Sequence, residues 1–196
     1  QHQEPLDTPR FVDRGEATAN TFGKANAQIL EINSKTGLYP LYVAYSCYRT
    51  KLEVLDDESL TFADKQTLWL QAVEENVFVL CKTPMAKAIT KRTLLGYSSG
   101  KVNAHCFDDI VNTMKNKSEQ FRKRVLKGSF WGKGAKNMNF DSIVGNPPYM
   151  EMDEGAQASA KPIYNHFVET SIAIKPNFIS LVIPTRWYAG GKGLDS

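Results

Sequence analysis

Phe140-Asp141-Ser142-Ile143-Val144-Gly145-Asn146-Pro147-Pro148-Tyr149 is the stretch around which the chain is organised. Its first half is a short apolar run ending at Gly145, the pattern of a buried strand. Its second half cannot extend that strand, because proline donates no backbone hydrogen bond and fixes φ, so the strand is expected to end at Asn146. A proline pair also biases the residue before it towards extended geometry. Asn146 and the carbonyl of Pro147 therefore sit on a stiff turn with little freedom left to lose on binding. Tyr149 adds a flat face. One amide, one outward carbonyl and one aromatic ring at the carboxyl end of a strand form a receptor for a planar group that carries an NH2.

Outward from this stretch, short apolar runs alternate with helical patterns. Gln28 to Ile32 reads as a first strand, preceded by helix-compatible sequence from Arg14 to Ala27. After Asn33-Ser34-Lys35-Thr36-Gly37 a helix is predicted from Leu38 to about Val54, with Pro40 in its first turn. A second helix is predicted over Leu60 to Glu75, a second strand over Asn76 to Cys81, and a third helix from Pro84 to about Leu95, capped by Thr83. A weaker strand covers Lys101 to Phe107. Asp108 or Asp109 could cap a helix from Ile110 to Lys127 that Gly128 ends. Gly128 to Asn139 is glycine-rich and reads as a loop. Asp141 to Gly145 is the fourth strand, Pro162 to Lys175 a helix and Phe178 to Ile183 the fifth strand, closed by Pro184. Five such strands separated by helices predict an α/β fold: a doubly wound, mostly parallel sheet with helices on both faces.

Composition agrees with a globular domain. The chain has 196 residues, 42% of them apolar and 23% charged, with a formal net charge of +3, so the overall charge neither demands nor excludes nucleic acid. Cys47, Cys81 and Cys106 are far apart, in apolar surroundings and without CxxC spacing, which favours buried free thiols over disulfides or zinc. No metal site is expected. With no apolar run near 18 residues and no signal-peptide pattern, a cytoplasmic location is the expectation and no membrane contact is foreseen. Gln1 to Arg10 reads as a lead-in or linker and residues 11–196 as one domain. The first residue is Gln1 and the last residues carry no stop signal, so a fragment of a longer protein is expected.

In an open parallel sheet ligands bind outside the carboxyl ends of the strands, and three motifs fall there. Glu31 to Gly37 puts an acid at a strand end and a glycine at the start of the next helix, where backbone N–H groups and the helix dipole can meet an anion. It matches neither GxGxxG nor the P-loop frame, and a plain strand-to-helix turn with a capping Asn or Ser explains it equally well. Phe107-Asp108-Asp109 offers a carboxylate to an amino group, or a helix cap. Asn146-Pro147-Pro148-Tyr149 is the third and the most specific. Between Lys115 and Lys136 stand eight Lys or Arg (Lys115, Lys117, Arg122, Lys123, Arg124, Lys127, Lys133, Lys136) against Glu119, with Phe130 and Trp131 nearby. These are either phosphate contacts or the solvated face of a helix and loop. His2, His105 and His166 show no metal-ligand spacing and read as lead-in, core or surface residues before catalytic ones.

With these motifs the chain resembles the S-adenosylmethionine (AdoMet)-dependent adenine-N6 DNA methyltransferases, especially the methylase part of restriction-modification enzymes. Asn146-Pro147-Pro148-Tyr149 after Phe140 to Gly145 carries most of the likeness. Ile29-Leu30-Glu31-Ile32 through Gly37, Thr83-Pro84-Met85-Ala86 and Ile183-Pro184-Thr185-Arg186-Trp187 support it in the family's order. The resemblance implies a Rossmann-like class I methyltransferase domain over residues 11–196, incomplete at its C-terminus, without the last strands and the target-recognition domain. Asn146, Pro147 and Tyr149 are implied to be catalytic. Glu31, Asn33, Gly37 and Asp108 are implied to hold AdoMet, and Pro148, Lys133 and Lys136 to touch the substrate, double-stranded DNA with a flipped adenine. A fused or associated nuclease and specificity domain is a further implied partner. The chain departs from the family after the second strand, where the acid usual for the ribose hydroxyls is replaced within Leu80-Cys81-Lys82-Thr83. Two other readings accompany this one: methylation of a protein glutamine side chain, whose amide also presents an NH2, and a binding module without activity.

Overall fold

The computed structural model describes residues 21, 23–55, 59–151 and 161–185. Five parallel strands form one sheet: β1 (Ile29–Ser34), β2 (Val77–Cys81), β3 (Asn103–Cys106), β4 (Ser142–Gly145) and, after a short pair described below, β7 (Phe178–Leu181). Their order is β3-β2-β1-β4-β7. The chain thus steps outward from β1 to β3 and then crosses to the other side of β1, so the topological switch point lies between β1 and β4.

The strands run as unbroken buried stretches because both faces are covered. Ile29, Val77, Val79, Cys81, Ala104 and Val144 pack under α1 (Leu38–Glu53), α2 (Phe62–Asn76) and α3 (Pro84–Leu95). Leu30, Ile32, Phe78, Leu80 and Ile143 point the other way, under α4 (Ile110–Asn116), α5 (Ser118–Val125) and α6 (Tyr164–Ile174). The period of two along each strand divides the core into two layers. Each fully buried aliphatic side chain, such as Leu30 or Ile143, contributes about 1.5–3 kcal/mol. At the amino end Asp141 ties three strands together. It accepts from the Gln28 N–H through Oδ2 (3.0 Å), exchanges its own N–H with the Gln28 carbonyl (2.8 Å), and accepts the N–H groups of Asn177 and Phe178 on its carbonyl (3.1 Å each).

Helix starts follow the local chemistry. α2 opens on a capping box, Thr61 accepting from the Asp64 N–H while the Asp64 carboxylate receives the Thr61 N–H. α3 opens on Thr83 followed by Pro84, as expected. Other expectations need correction. The helix expected over 110–127 is two helices broken at Lys117; Ile110, Met114, Phe121 and Val125 keep helical spacing across the break, so the burial pattern conceals it. The break falls in Asn116-Lys117-Ser118, where Asn and Ser compete with the helix for backbone groups. The loop expected over 128–139 contains a 3₁₀ turn, Gly128–Trp131, because Trp131 is buried against Phe78 and Phe140 and donates Nε1–H to the Val125 carbonyl (2.8 Å). Most of the helix-compatible stretch from Arg14 to Ala27 lies outside the described residues; of its described part, 23–26 are turns and bends. A short antiparallel pair, β5 (Met150–Glu151) with β6 (Lys161–Pro162), directly follows the Pro-Pro turn and was not foreseen. Asp109 holds the N-cap position of α4 but makes no capping bond.

Among the described residues no helix is long and apolar enough to cross a membrane, and none group three or more His, Cys, Asp or Glu for a metal ion. The three cysteines are free; Cys47 and Cys81 are buried and Cys106 is half-buried.

Candidate active site

The carboxyl ends of β1 and β4 meet at the switch point, and both depart from regular strand geometry there. β1 pairs with β2 from Ile29↔Val77 to Ile32↔Leu80 and then slips, so that Asn33 and Ser34 together oppose Cys81. Asn33 is the extra residue. Its φ of 73° is left-handed, a conformation that Asn tolerates better than most side chains. A bulge of this kind re-aims a side chain. Here it turns the Asn33 amide towards β4, where Nδ2 donates to the backbone carbonyl of Asn146 at 3.0 Å.

β4 ends at Gly145, with Asn146 alone between it and the Pro-Pro pair, for the reason the sequence anticipates. Gly145 is itself required: a Cβ there would stand 2.5 Å from the Ile32 carbonyl oxygen of the adjoining strand. The carbonyls around the turn are then accounted for. That of Gly145 accepts the Val182 N–H, that of Asn146 accepts Asn33 Nδ2, and that of Tyr149 accepts the Ile163 N–H, each at 3.0 Å. The carbonyls of Pro147 and Pro148 and the side-chain amide of Asn146 have no hydrogen-bond partner among the described residues. Pro147 is buried, Asn146 and Pro148 half-buried, and the Tyr149 ring is 38% exposed at the rim. Lys115, at the end of α4, forms an ion pair with Glu151 of β5, which braces the chain leaving the turn.

A cleft of about 170 Å³ opens beside the turn, lined by Glu31, Asn33, Lys35, Thr36, Gly37, Leu38, Tyr39 and Asn146. Glu31 lies at its base, 3% exposed, and its Oε2 is buried with no hydrogen-bond partner among the described residues. Burial pushes its carboxyl up to about 8, against a smaller lowering by the Ser34 hydroxyl. Gly37 is the N-cap of α1 with φ 81°, and a Cβ on it would lie 3.0 Å from Thr90 Cα, so α3 packs against a site open only to glycine. A buried carboxyl with one oxygen unpartnered among the described residues, beside a helix start, fits a ligand that carries both a cationic or hydroxyl group and a carboxylate.

The larger cavity, about 500 Å³, lies elsewhere. It runs between α1 and strands β4 and β7, lined by apolar side chains such as Val144, Ile179 and Val182 with Tyr39 and Tyr42. It lacks both the acceptor pair and the carboxyl group, so the smaller cleft is where the chemistry concentrates.

The implied site residues divide three ways. Glu31, Asn33, Gly37 and Asn146 line one cleft, and Pro147, Pro148 and Tyr149 adjoin it. Asp108 is exposed after β3, two strands away at the same end of the sheet, beside the Cys106 thiol (3.1 Å); it does not line the cleft. Lys133 is at the opposite end of the sheet, donating to the Glu74 carbonyl at 3.0 Å just before β2 begins. Lys136 belongs to the same loop, its carbonyl accepting the Gly128 N–H. The structure therefore brings neither lysine to the turn. Much of the basic run is spoken for locally: Arg122 and Lys123 pair with Glu119, and Arg124 lies over Phe107 and Phe130. Arg186 and Trp187 lie outside the described residues. What the sequence reading missed is the Asn33 link to Asn146. The only signal for it was an Asn in a strand-end loop, which also reads as a turn former.

The sequence profile described as Eco57I restriction-modification methylase matches residues 75–196, from the end of α2 through the Asn-Pro-Pro-Tyr turn. An "Uncharacterized adenine-specific methylase" of Mycoplasma pneumoniae is 33% identical over 60 residues, 29% of this chain and 14% of that protein. The chain thus spans a small part of that relative's length.

Proposed function

The chain belongs to the Eco57I restriction-modification methylase family, and on that premise we propose that it transfers a methyl group from AdoMet to the N6 amino group of adenine in DNA. The observation that carries this reading is the carbonyl accounting at the turn. The side-chain amide of Asn146 and the carbonyl of Pro147 have no hydrogen-bond partner among the described residues, and they stand beside a cleft that also holds Glu31 and Gly37.

Two acceptors on a rigid turn match the two hydrogens of an exocyclic amino group. With Asn146 Oδ1 and the Pro147 carbonyl each accepting one N6 hydrogen, the nitrogen lone pair is drawn out of conjugation with the ring and aimed across the cleft. AdoMet, when bound, supplies an electrophilic methyl group. As N6 gains positive charge, the two acceptor dipoles stabilise the transition state more than the ground state, and the Pro-Pro turn holds them without reorganisation. Tyr149, exposed at the rim, offers a face for stacking a base that has left the duplex. In the cleft, Glu31 and the start of α1 would take the ammonium and carboxylate of the cofactor's amino-acid end, with Asp108 towards its adenine.

The test is transfer of labelled methyl groups from AdoMet to DNA by the natural full-length protein, with digestion of the product to nucleosides. N6-methyladenine is expected. Asn146→Ala should lower the rate by about 10²–10³, the usual cost of one preorganised acceptor or donor in a transition state. Labelled DNA in which the methyl sits on cytosine, or a variant as fast as the wild type, would overturn the proposal.

A further inference from the structure

We propose that Asn33 is a positioning residue for the catalytic turn, acting through the backbone carbonyl of Asn146 and not on the cofactor; this rests on the roles given above to Asn146 and Pro147. The sheet itself explains the need. β1 and β4 pair in parallel as far as Ile32↔Gly145, so the next position on β1, opposite Asn146, is Asn33. There the ladder with β4 stops, at the left-handed bulge residue Asn33, while β1 goes on to pair Ser34 with Cys81 of β2. On the other side β7 makes its last bond to β4 through the Val182 N–H, which goes to Gly145. Neither neighbouring strand donates a backbone N–H to the Asn146 carbonyl, and the Asn33 side chain takes that place at 3.0 Å.

Holding this one carbonyl governs the two acceptors that follow. The peptide between Asn146 and Pro147 is planar, and Pro147 φ is fixed by its ring. Anchoring the Asn146 carbonyl towards β1 sets the peptide plane, and the aim of the Pro147 carbonyl then depends on a single remaining torsion. The same bond removes a decoy. A free Asn146 carbonyl would offer the substrate NH2 an acceptor that competes with the Asn146 amide and the Pro147 carbonyl. Asn33 is only 5% exposed, which leaves its amide little room for other partners.

Two variants separate the role from mere structure. Asn33→Gly keeps the left-handed conformation accessible and deletes the amide, while Asn33→Asp keeps the shape and turns an acceptor towards the carbonyl. In the full-length protein, kcat for methyl transfer at saturating DNA and AdoMet should fall about 10- to 100-fold in N33G and further in N33D, since an ångström of misplacement costs on that order. The Kd for AdoMet by calorimetry and the KM for DNA should stay within about threefold of wild type, a working tolerance set by this positioning argument. Loss of AdoMet binding in proportion to kcat would make Asn33 a cofactor ligand and sink the inference, as would an unchanged kcat. An inactive wild type would instead count against the methyl-transfer reading. The positioning claim is then judged on the substrate-free protein by NMR: the carbonyl carbon of Asn146 should shift and residues 146–149 broaden by exchange in N33G, and spectra superimposable on wild type would overturn it.

Discussion

Replacing Glu31 by glutamine should make the protein more stable at alkaline pH and remove a specific part of its pH dependence. The folded protein buries the Glu31 carboxyl in the cleft, with Oε2 unpartnered among the described residues, and this burial raises its pKa from an ordinary 4.5 to about 8. Below pH 4.5 the group is neutral in both folded and unfolded chains and has no effect. Between 4.5 and 8 the folded chain retains a proton that the unfolded chain has lost, so stability falls as pH rises, by about 1.4 kcal/mol per pH unit. Above 8 the full penalty is present, up to about 5 kcal/mol over the whole window. Glutamine has no charge to desolvate and should escape it. The assay is urea unfolding of both proteins from pH 5 to 9, followed by tryptophan fluorescence, with the difference in unfolding free energy plotted against pH. Groups common to both proteins cancel in that difference, including His105, whose pKa burial lowers and whose contribution therefore runs the opposite way, lost as pH falls. The expected difference is near zero at pH 5 and grows in favour of E31Q towards pH 8. A difference that stays flat from pH 5 to 9 would refute the reasoning, because it would mean that Glu31 ionises in the folded chain as freely as in water.

Gly145→Ala should destabilise the fold by about 1–3 kcal/mol in the same unfolding assay, since the added methyl meets a strand carbonyl and not a movable side chain. Gly37→Ala should destabilise by a comparable amount, roughly 1–3 kcal/mol, through its left-handed φ and the contact with α3. Tyr149→Ala should weaken binding of an extruded base by about 1–3 kcal/mol while Tyr149→Phe stays close to wild type, because stacking needs the ring and not the hydroxyl; fluorescence of 2-aminopurine at the target position reads this. A disulfide reagent at neutral pH should modify one of the three thiols in the folded protein, Cys106, and all three after denaturation; three fast thiols in the native state would contradict the burial of Cys47 and Cys81.

How far the sequence alone reaches differs from element to element. The five strands and the helices α1, α2, α3 and α6 were readable to within two or three residues, because apolar runs bounded by Gly, Pro and capping residues carry local signals. The break at Lys117 was not, since the apolar spacing of Ile110, Met114, Phe121 and Val125 is that of one continuous helix. The 3₁₀ turn at Trp131 was hidden by the glycines around it, and only the aromatic contacts with Phe78 and Phe140 give it a reason to form. The basic run looked like one surface by composition. The fold sends Lys133 to the far end of the sheet and pairs Arg122 and Lys123 with Glu119, and spacing along the chain does not report which end of a strand a loop returns to.

The sequence by itself determined the stiff turn after β4, because proline geometry is a local property that no packing can undo, and it determined the alternation of strand and helix that makes a doubly wound sheet. Only the tertiary structure decided which of the turn's carbonyls have a partner among the described residues. Asn33 reaches Asn146 across 113 residues of sequence because β1 and β4 are neighbours at the switch point and a bulge turns the Asn33 amide towards the gap. The same assembly buries Glu31 and raises its pKa, an outcome that depends on desolvation by α1 and the flanking strands and so cannot be read from the residue or its sequence neighbours.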